Sequence, residues 1–406
     1  MGNMKKKLSI IKAYFAFIFV SYCSYLIIAT YVSGFGTNAP VMMEFYLITS
    51  AQQGFILTMQ SVGALVPLVY LALHGERFNK INMFVVGMLL FGAACLAVGA
   101  APPYAALIVL VMLSGAGVSV VDIVMNGMIP ELFQKHKNTL IPLLHAFFGV
   151  GAMLAPITVT AIVNPDVTYT FARPFLLIGA LGVFLSVIFF LVSRRVIPET
   201  PYADMASVRN RVSENPAEIF KTKYSWLFLI AGTLYFSFQV GLVNWLPTYC
   251  QEIGMDFDTS GAVLTAFFIG SLLMRFSGPV ILKKISARTA YMLFSVIAAL
   301  LITAALFMES DSAMIALIAI GGFMQGLCVA LLVLMCTGAY PHRVASASSL
   351  PFIAANIAIM VAPLLMGALA EHIGFRIPLL IGCALLVVSA IPVFFSRTKT
   401  GKEGTP

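Results

Sequence analysis

Asp122 lies well inside a long apolar run, with Asn126 four residues further on. On a helix that spacing puts both side chains on one face. An Asp at the centre of a membrane helix costs about 2.5–3.5 kcal/mol on insertion scales, so such a residue turns toward the bundle interior. A carboxyl group that titrates there, and is reached from either side in turn, carries a proton. Pinned by a hydrogen bond or a cation, it is structural instead. Asn126 suits two roles, binding solute hydroxyls or holding the carboxylate. His145 is the one histidine deep in an apolar run. Its imidazole titrates near physiological pH, which fits pairing with Asp122, solute binding or a neutral core position. Arg275 stands alone among apolar residues. It would meet an anionic solute, balance Asp122 or snorkel to the membrane surface. Gln239, Asn244 and Trp245 form a polar and aromatic group, with amides for solute hydroxyls and a ring for sugar C–H faces or for interfacial anchoring. Gln325 and Asn356 complete the set, as solute ligands or interhelical hydrogen bonds.

The elements that must position these residues follow from composition. Of 406 residues, 60% are hydrophobic and 10% charged, against about 25% charged in soluble domains. That excludes a soluble enzyme, a disordered protein and a nucleic-acid binder. A membrane span needs about 20 apolar residues. Twelve such runs occur, at 10–33, 50–73, 82–102, 105–130, 139–163, 173–194, 224–249, 260–282, 289–308, 313–339, 345–370 and 376–396. The first follows Lys5-Lys6-Lys7 but is too long for a signal peptide's apolar core. The longest polar stretch, about Ser193 to Lys223, separates two sets of six. With both termini inside, every Lys and Arg except Arg173, Arg275 and Arg376 falls on the inner side. The net charge of +8 is therefore a record of topology, not a nucleic-acid patch. The six cysteines have no CxxC or metal-ligand spacing and read as small apolar side chains.

The halves repeat weakly. "AMLAP" at 152–156 returns as "IMVAP" at 359–363, and Pro130-Glu131 and Pro341-His342 each close a fourth span. Duplicated six-span halves are a feature of transporter folds. The loop after span two, His74 to Lys80, carries Glu76, Arg77 and Lys80. It resembles the signature loop of the major facilitator superfamily, and Lys283 to Arg288 is a degenerate copy. That resemblance makes Glu76, Arg77 and Lys80 a charged clamp at the cytoplasmic gate. A narrower resemblance, to the fucose/glucose–proton symporter group, rests on Gly115-Ala116-Gly117, Asp122 and Asn126. It also rests on "LLHAFFGVGAMLAP" (Leu143 to Pro156), "NWLPTY" (Asn244 to Tyr249) and "PLLMGALAEHIG" (Pro363 to Gly374). Two carboxylate positions of that group are not matched, since Gly36, four before Pro40, and Gln239 stand there.

The sequence therefore predicts an all-α membrane protein with twelve transmembrane helices in two pseudo-symmetric six-helix bundles and both termini cytoplasmic. Residues 1–195 form the N-terminal bundle, 196–222 a cytoplasmic linker and 223–406 the C-terminal bundle. The expected function is secondary transport by alternating access, taking up a sugar or similar small polar solute with a proton on Asp122. Asn126, His145, Gln239, Asn244, Trp245, Arg275, Gln325 and Asn356 are the solute-binding candidates. Export of drugs or metabolites, and carriage of an organic anion by Arg275, are the alternatives. A membrane sensor is disfavoured, because neither the central loop nor the tail could hold a signalling domain. No phosphate-binding loop, H-E-x-x-H, nucleophile elbow or dinucleotide fingerprint occurs. The expectation is no enzymatic activity, no cofactor and no metal. Its partners are a small-molecule substrate, protons and the lipid bilayer, without nucleic acid, and the chain is expected to work as a monomer in the cell membrane.

Overall fold

A computed structural model describes residues 2–74, 78–133, 137–196, 216–340 and 344–396. Glu76 and Arg77 of the expected clamp lie outside the described residues. Lys80 is described and opens α3, with its Nζ beside Gly127.

Among the described residues, twelve helical spans are long and apolar enough to cross a membrane. The first six spans are α1 (Gly2–Tyr46), α2 (Ser50–His74), α3 (Lys80–Val98), α4 (Tyr104–Leu132), α5 (Lys137–Ile162) and α6 (Ala172–Val196). Next come α7 (Lys223–Glu252), α8 (Phe257–Ile281) and α9 (Ala287–Ala305). The tenth span is broken into α10 (Asp311–Gln325) and α11 (Cys328–Ala339). The eleventh is α12 (Val344–Ile373), and the twelfth is α13 (Arg376–Val388) with α14 (Ala390–Phe395).

Helix starts follow side-chain chemistry. Thr49 and Gln52 form a reciprocal capping box before α2, with Thr49 N donating to Gln52 Oε1 at 2.9 Å and Gln52 N to Thr49 Oγ1 at 3.3 Å. Asn79 caps α3, Asp256 caps α8 and Ser286 caps α9. The Asp256 carboxyl is held below its usual range by hydrogen bonds from the Thr259 N–H and hydroxyl.

One boundary differs from the sequence reading. Gly34, Gly36, Asn38 and Pro40 look like a loop after residue 33, yet α1 runs through them to Tyr46. Thr37 and Asn38 are buried, and the Asn38 amide donates to the Phe171 carbonyl at 2.9 Å. Neighbouring helices thus cover the segment that the punctuation residues would otherwise release to solvent, which is how membrane helices tolerate Pro.

The helices gather into two units. One holds α1, α2 from Met59 onward, and α3–α6. The other holds α2 up to Thr58 and α7–α14. In the first, α1 packs on α5 and α6, and α3 on α4 and α6. The second repeats the plan, with α7 on α12 and α13, and α9 on α10, α11 and α13. The repeat reaches single residues. A Cβ on Gly115 of α4 would overlap the Gln60 carbonyl of α2, and one on Gly326 would overlap the Ser271 carbonyl of α8. Both members of the second pair lie 211 residues after those of the first. Aromatic rings fill both cores, among them Phe84, Phe189 and Phe91 in the first and Tyr235, Tyr291 and Phe238 in the second. Apolar side chains such as Phe184, Leu273, Phe276 and Leu300 remain exposed, as a lipid-facing surface requires.

Gly115→Ala should lower stability by about 1–3 kcal/mol through overpacking, read as a drop in Tm in detergent. Gly338→Ala, where an added Cβ meets nothing within 4 Å, should leave Tm unchanged or raise it. Equal melting of the two variants would discount the close crossing of α2 and α4.

Candidate functional site

In the first unit Asp122 sits about two turns inside the C-terminal end of the fourth span, Tyr104–Ile129. It is exposed, while Tyr25 of α1 is almost fully buried. The Tyr25 hydroxyl donates to Asp122 Oδ1. Asn126 Nδ2 lies 2.9 Å from the Tyr25 hydroxyl, from Asp122 Oδ1 and from the Asp122 carbonyl. The i to i+4 spacing on α4 does bring the amide onto the carboxylate, and the third member comes from another helix. His145 of α5 is half-buried, its ring 6.1 Å from that of Tyr25 in an edge arrangement at 80°. Phe148 closes the same side, 6.2 Å from the Tyr25 ring.

This knot suits a group that changes protonation. A hydroxyl both donates and accepts. Tyr25 donates to the carboxylate while accepting from Asn126, and one of its lone pairs is left over. If Asp122 gains a proton, Tyr25 can rotate to accept it, so both forms find a partner.

The second unit holds a different knot. Tyr235 of α7 donates to Gln325 Oε1 at 2.5 Å, and Gln325 Nε2 lies 3.4 Å from Ser271 Oγ on α8. Tyr235, Gln325 and Ser271 are all buried. Arg275 is one turn beyond Ser271 on α8, exposed, and within electrostatic reach of the Tyr235 hydroxyl. The break between α10 and α11 falls directly after Gln325. Gly326 there admits the α8 backbone beside it, which brings Gln325 within reach of Ser271.

The other candidates are dispersed. Trp245 is fully buried, its indole N–H donates to the Pro363 carbonyl at 3.1 Å, and its ring lies 5.0 Å from Phe375. It is engaged in holding α7 to α12. Asn244 is buried and donates to the Val240 carbonyl at 2.9 Å. Asn356 donates back to the Phe352 carbonyl one turn earlier, and Gln239 is half-buried on α7. Among the described residues no three His, Cys, Asp or Glu side chains converge. The sequence reading passed over Tyr235 and Ser271. The available signal was that each half carries a tyrosine at a matching depth of its first span, at 25 and 235.

A Major Facilitator Superfamily profile matches residues 15–280 and 250–406. Membrane protein MosC of Rhizobium meliloti is 24% identical, over 98% of this chain and 93% of its own. The cis,cis-muconate transport protein of Acinetobacter baylyi is 22% identical, over 89% of this chain and 91% of its own. Among solved structures, a D-xylose-proton symporter superposes with a TM-score of 0.78 at 13% identity, covering 96% of this chain and 99% of that one.

Tyr25→Phe and Asn126→Ala should be non-additive, with a coupling of about 0.5–3 kcal/mol in unfolding experiments. Tyr25→Phe combined with Gln325→Ala, in the other unit, should be additive. Additivity in both cycles would mean that the Tyr25–Asn126 contact carries no energy.

Proposed function

We propose that this chain, which belongs to the major facilitator superfamily and is a multi-pass secondary transporter rather than an enzyme, couples solute movement to protons through Asp122. The observation that carries the reading is the exposed Asp122 carboxylate, held by Tyr25 and Asn126 two turns inside a span. Intramembrane carboxylates with such partners are the usual elements of proton relays. The proton arrives from water, resides on Asp122 with Tyr25 as acceptor, and leaves when the carboxyl faces the other side. One proton moving down about 100 mV supplies about 2.3 kcal/mol, which supports nearly fiftyfold accumulation of a neutral solute.

The direction is uptake and the solute small and polar. The motif likeness to the fucose/glucose–proton symporter group supports a sugar, with Asn126 and His145 beside the proton site and Gln239 and Asn356 as further amides. Arg275 and the muconate transport protein, named for a dicarboxylate, support a second reading in which the solute is an organic acid. Cytoplasmic closure through Glu76, Arg77 and Lys80 belongs to the same proposal.

In energised vesicles, adding a transported solute to the wild-type protein should evoke a proton flux. Asp122→Asn should abolish that flux while solute exchange at equal concentrations persists. A mutant that still moves protons with its solute would remove Asp122 from the coupling step.

A further inference from the structure

We infer that the first unit binds one ordered water molecule in a cavity between α1, α5 and α6, held by the side-chain oxygen of Asn38 and by threonine hydroxyls. The cavity is walled by one face of α1 from Thr30 to Asn38, by Thr158 and Val159 of α5, and by Phe175 and Ile178 of α6. It has room for about one water. Asn38 is 1% exposed. Its Nδ2 donates to the Phe171 carbonyl at 2.9 Å, while its Oδ1 has no hydrogen-bond partner among the described residues. A buried oxygen left in that state bears its whole desolvation penalty. No helix carbonyl can relieve it, because what it lacks is a donor.

The chemistry of the wall selects water over other occupants. A buried water makes about three hydrogen bonds. Asn38 Oδ1 accepts one of them. Thr30 directs its own hydroxyl proton to the Leu26 and Gly151 carbonyls, at 2.9 and 3.1 Å, so its oxygen keeps acceptor capacity. Thr158 is half-buried, and its hydroxyl can give or take a further bond. A metal cation would need a counter-charge, and none of the lining residues is charged. An acyl chain brings no donor and would leave Oδ1 unpaired. The space also has a floor. A Cβ on Gly151 would overlap the Leu26 carbonyl, so α1 and α5 touch backbone to backbone just beyond Thr30. That contact makes the site a pocket for one molecule rather than a stretch of channel toward Tyr25. With the water bound, Asn38 joins α1 to two neighbours. Nδ2 holds the turn before α6, and Oδ1 holds α5 through the water.

The test has two arms. An experimental map of the purified full chain, at a resolution where waters are visible, should show one compact peak here. It should lie within hydrogen-bond distance of Asn38 Oδ1 and of the Thr30 or Thr158 hydroxyl. Elongated density, as of an acyl chain, or no peak between well-ordered walls, would overturn the site. The second arm fills the cavity. A Cβ added at Gly34 meets only Val159 Cγ2 at 3.4 Å and the Ala155 Cβ at 4.0 Å, so Gly34→Ala fits and takes the space of the water. In a dry cavity the new methyl would improve packing and helix propensity and raise Tm. With water bound, it expels the water and strands Oδ1, so Tm should fall by a few degrees. In an Asn38→Leu background there is no oxygen to strand, and the same Gly34→Ala should raise Tm. A merely structural role for either residue does not produce that reversal of sign. A shift in the same direction in both backgrounds would overturn the proposal, and the map decides alone if Asn38→Leu does not fold.

Discussion

A backbone amide in hydrocarbon has no water to bond with, and that constraint organises everything else in this chain. Spanning segments close their own hydrogen bonds as helices, and side chains that cannot be apolar must find partners nearby. Small hydroxyls do so within one turn, as when Ser21 donates to the Phe17 carbonyl, Ser24 to Val20 and Thr30 to Leu26. Larger polar groups need a second helix. Tyr22 reaches the Leu140 carbonyl on α5, and Thr58 reaches the Met360 carbonyl on α12. Against this background, two of the exceptions among the described residues carry a charge: Asp122, which is exposed, and Arg275, which has no carboxylate partner.

Each exception is built on a tyrosine from the first helix of its half. Tyr25 meets Asp122 and Asn126, while Tyr235 meets Gln325 and stands by Arg275. The duplicated scaffold offers the same buried phenol twice, and the halves have used it for opposite charges. One unit sets the phenol against a carboxylate. The other carries a group that stays protonated at any physiological pH.

Much of this was legible in the sequence, because membrane spans follow from composition and length. All twelve spans, and the pairing of Asp122 with Asn126, come from runs and spacing that depend on one helix at a time. The α1 boundary was misread at Pro40, since the burial of Asn38 and its bond to Phe171 come from a distant segment. Trp245 reads equally well as a sugar platform or an anchor until Pro363 is seen to accept from its indole. Tyr25, Tyr235 and Ser271 were hidden for the same reason: tyrosine and serine are ordinary in spans, and only a partner on another helix makes them particular.

The two glycine crossings have a mechanical consequence. Where Gly115 meets the Gln60 carbonyl and Gly326 meets the Ser271 carbonyl, backbone touches backbone with no rotamer between them to absorb displacement. Each crossing lies next to a charged group. Asp122 is two turns along the same face of α4 from Gly115, and Arg275 is one turn along α8 from Ser271. A shift imposed at either charge has no soft layer to dissipate in, so each unit should respond as a lever, handing small movements at its polar knot along the full length of a helix.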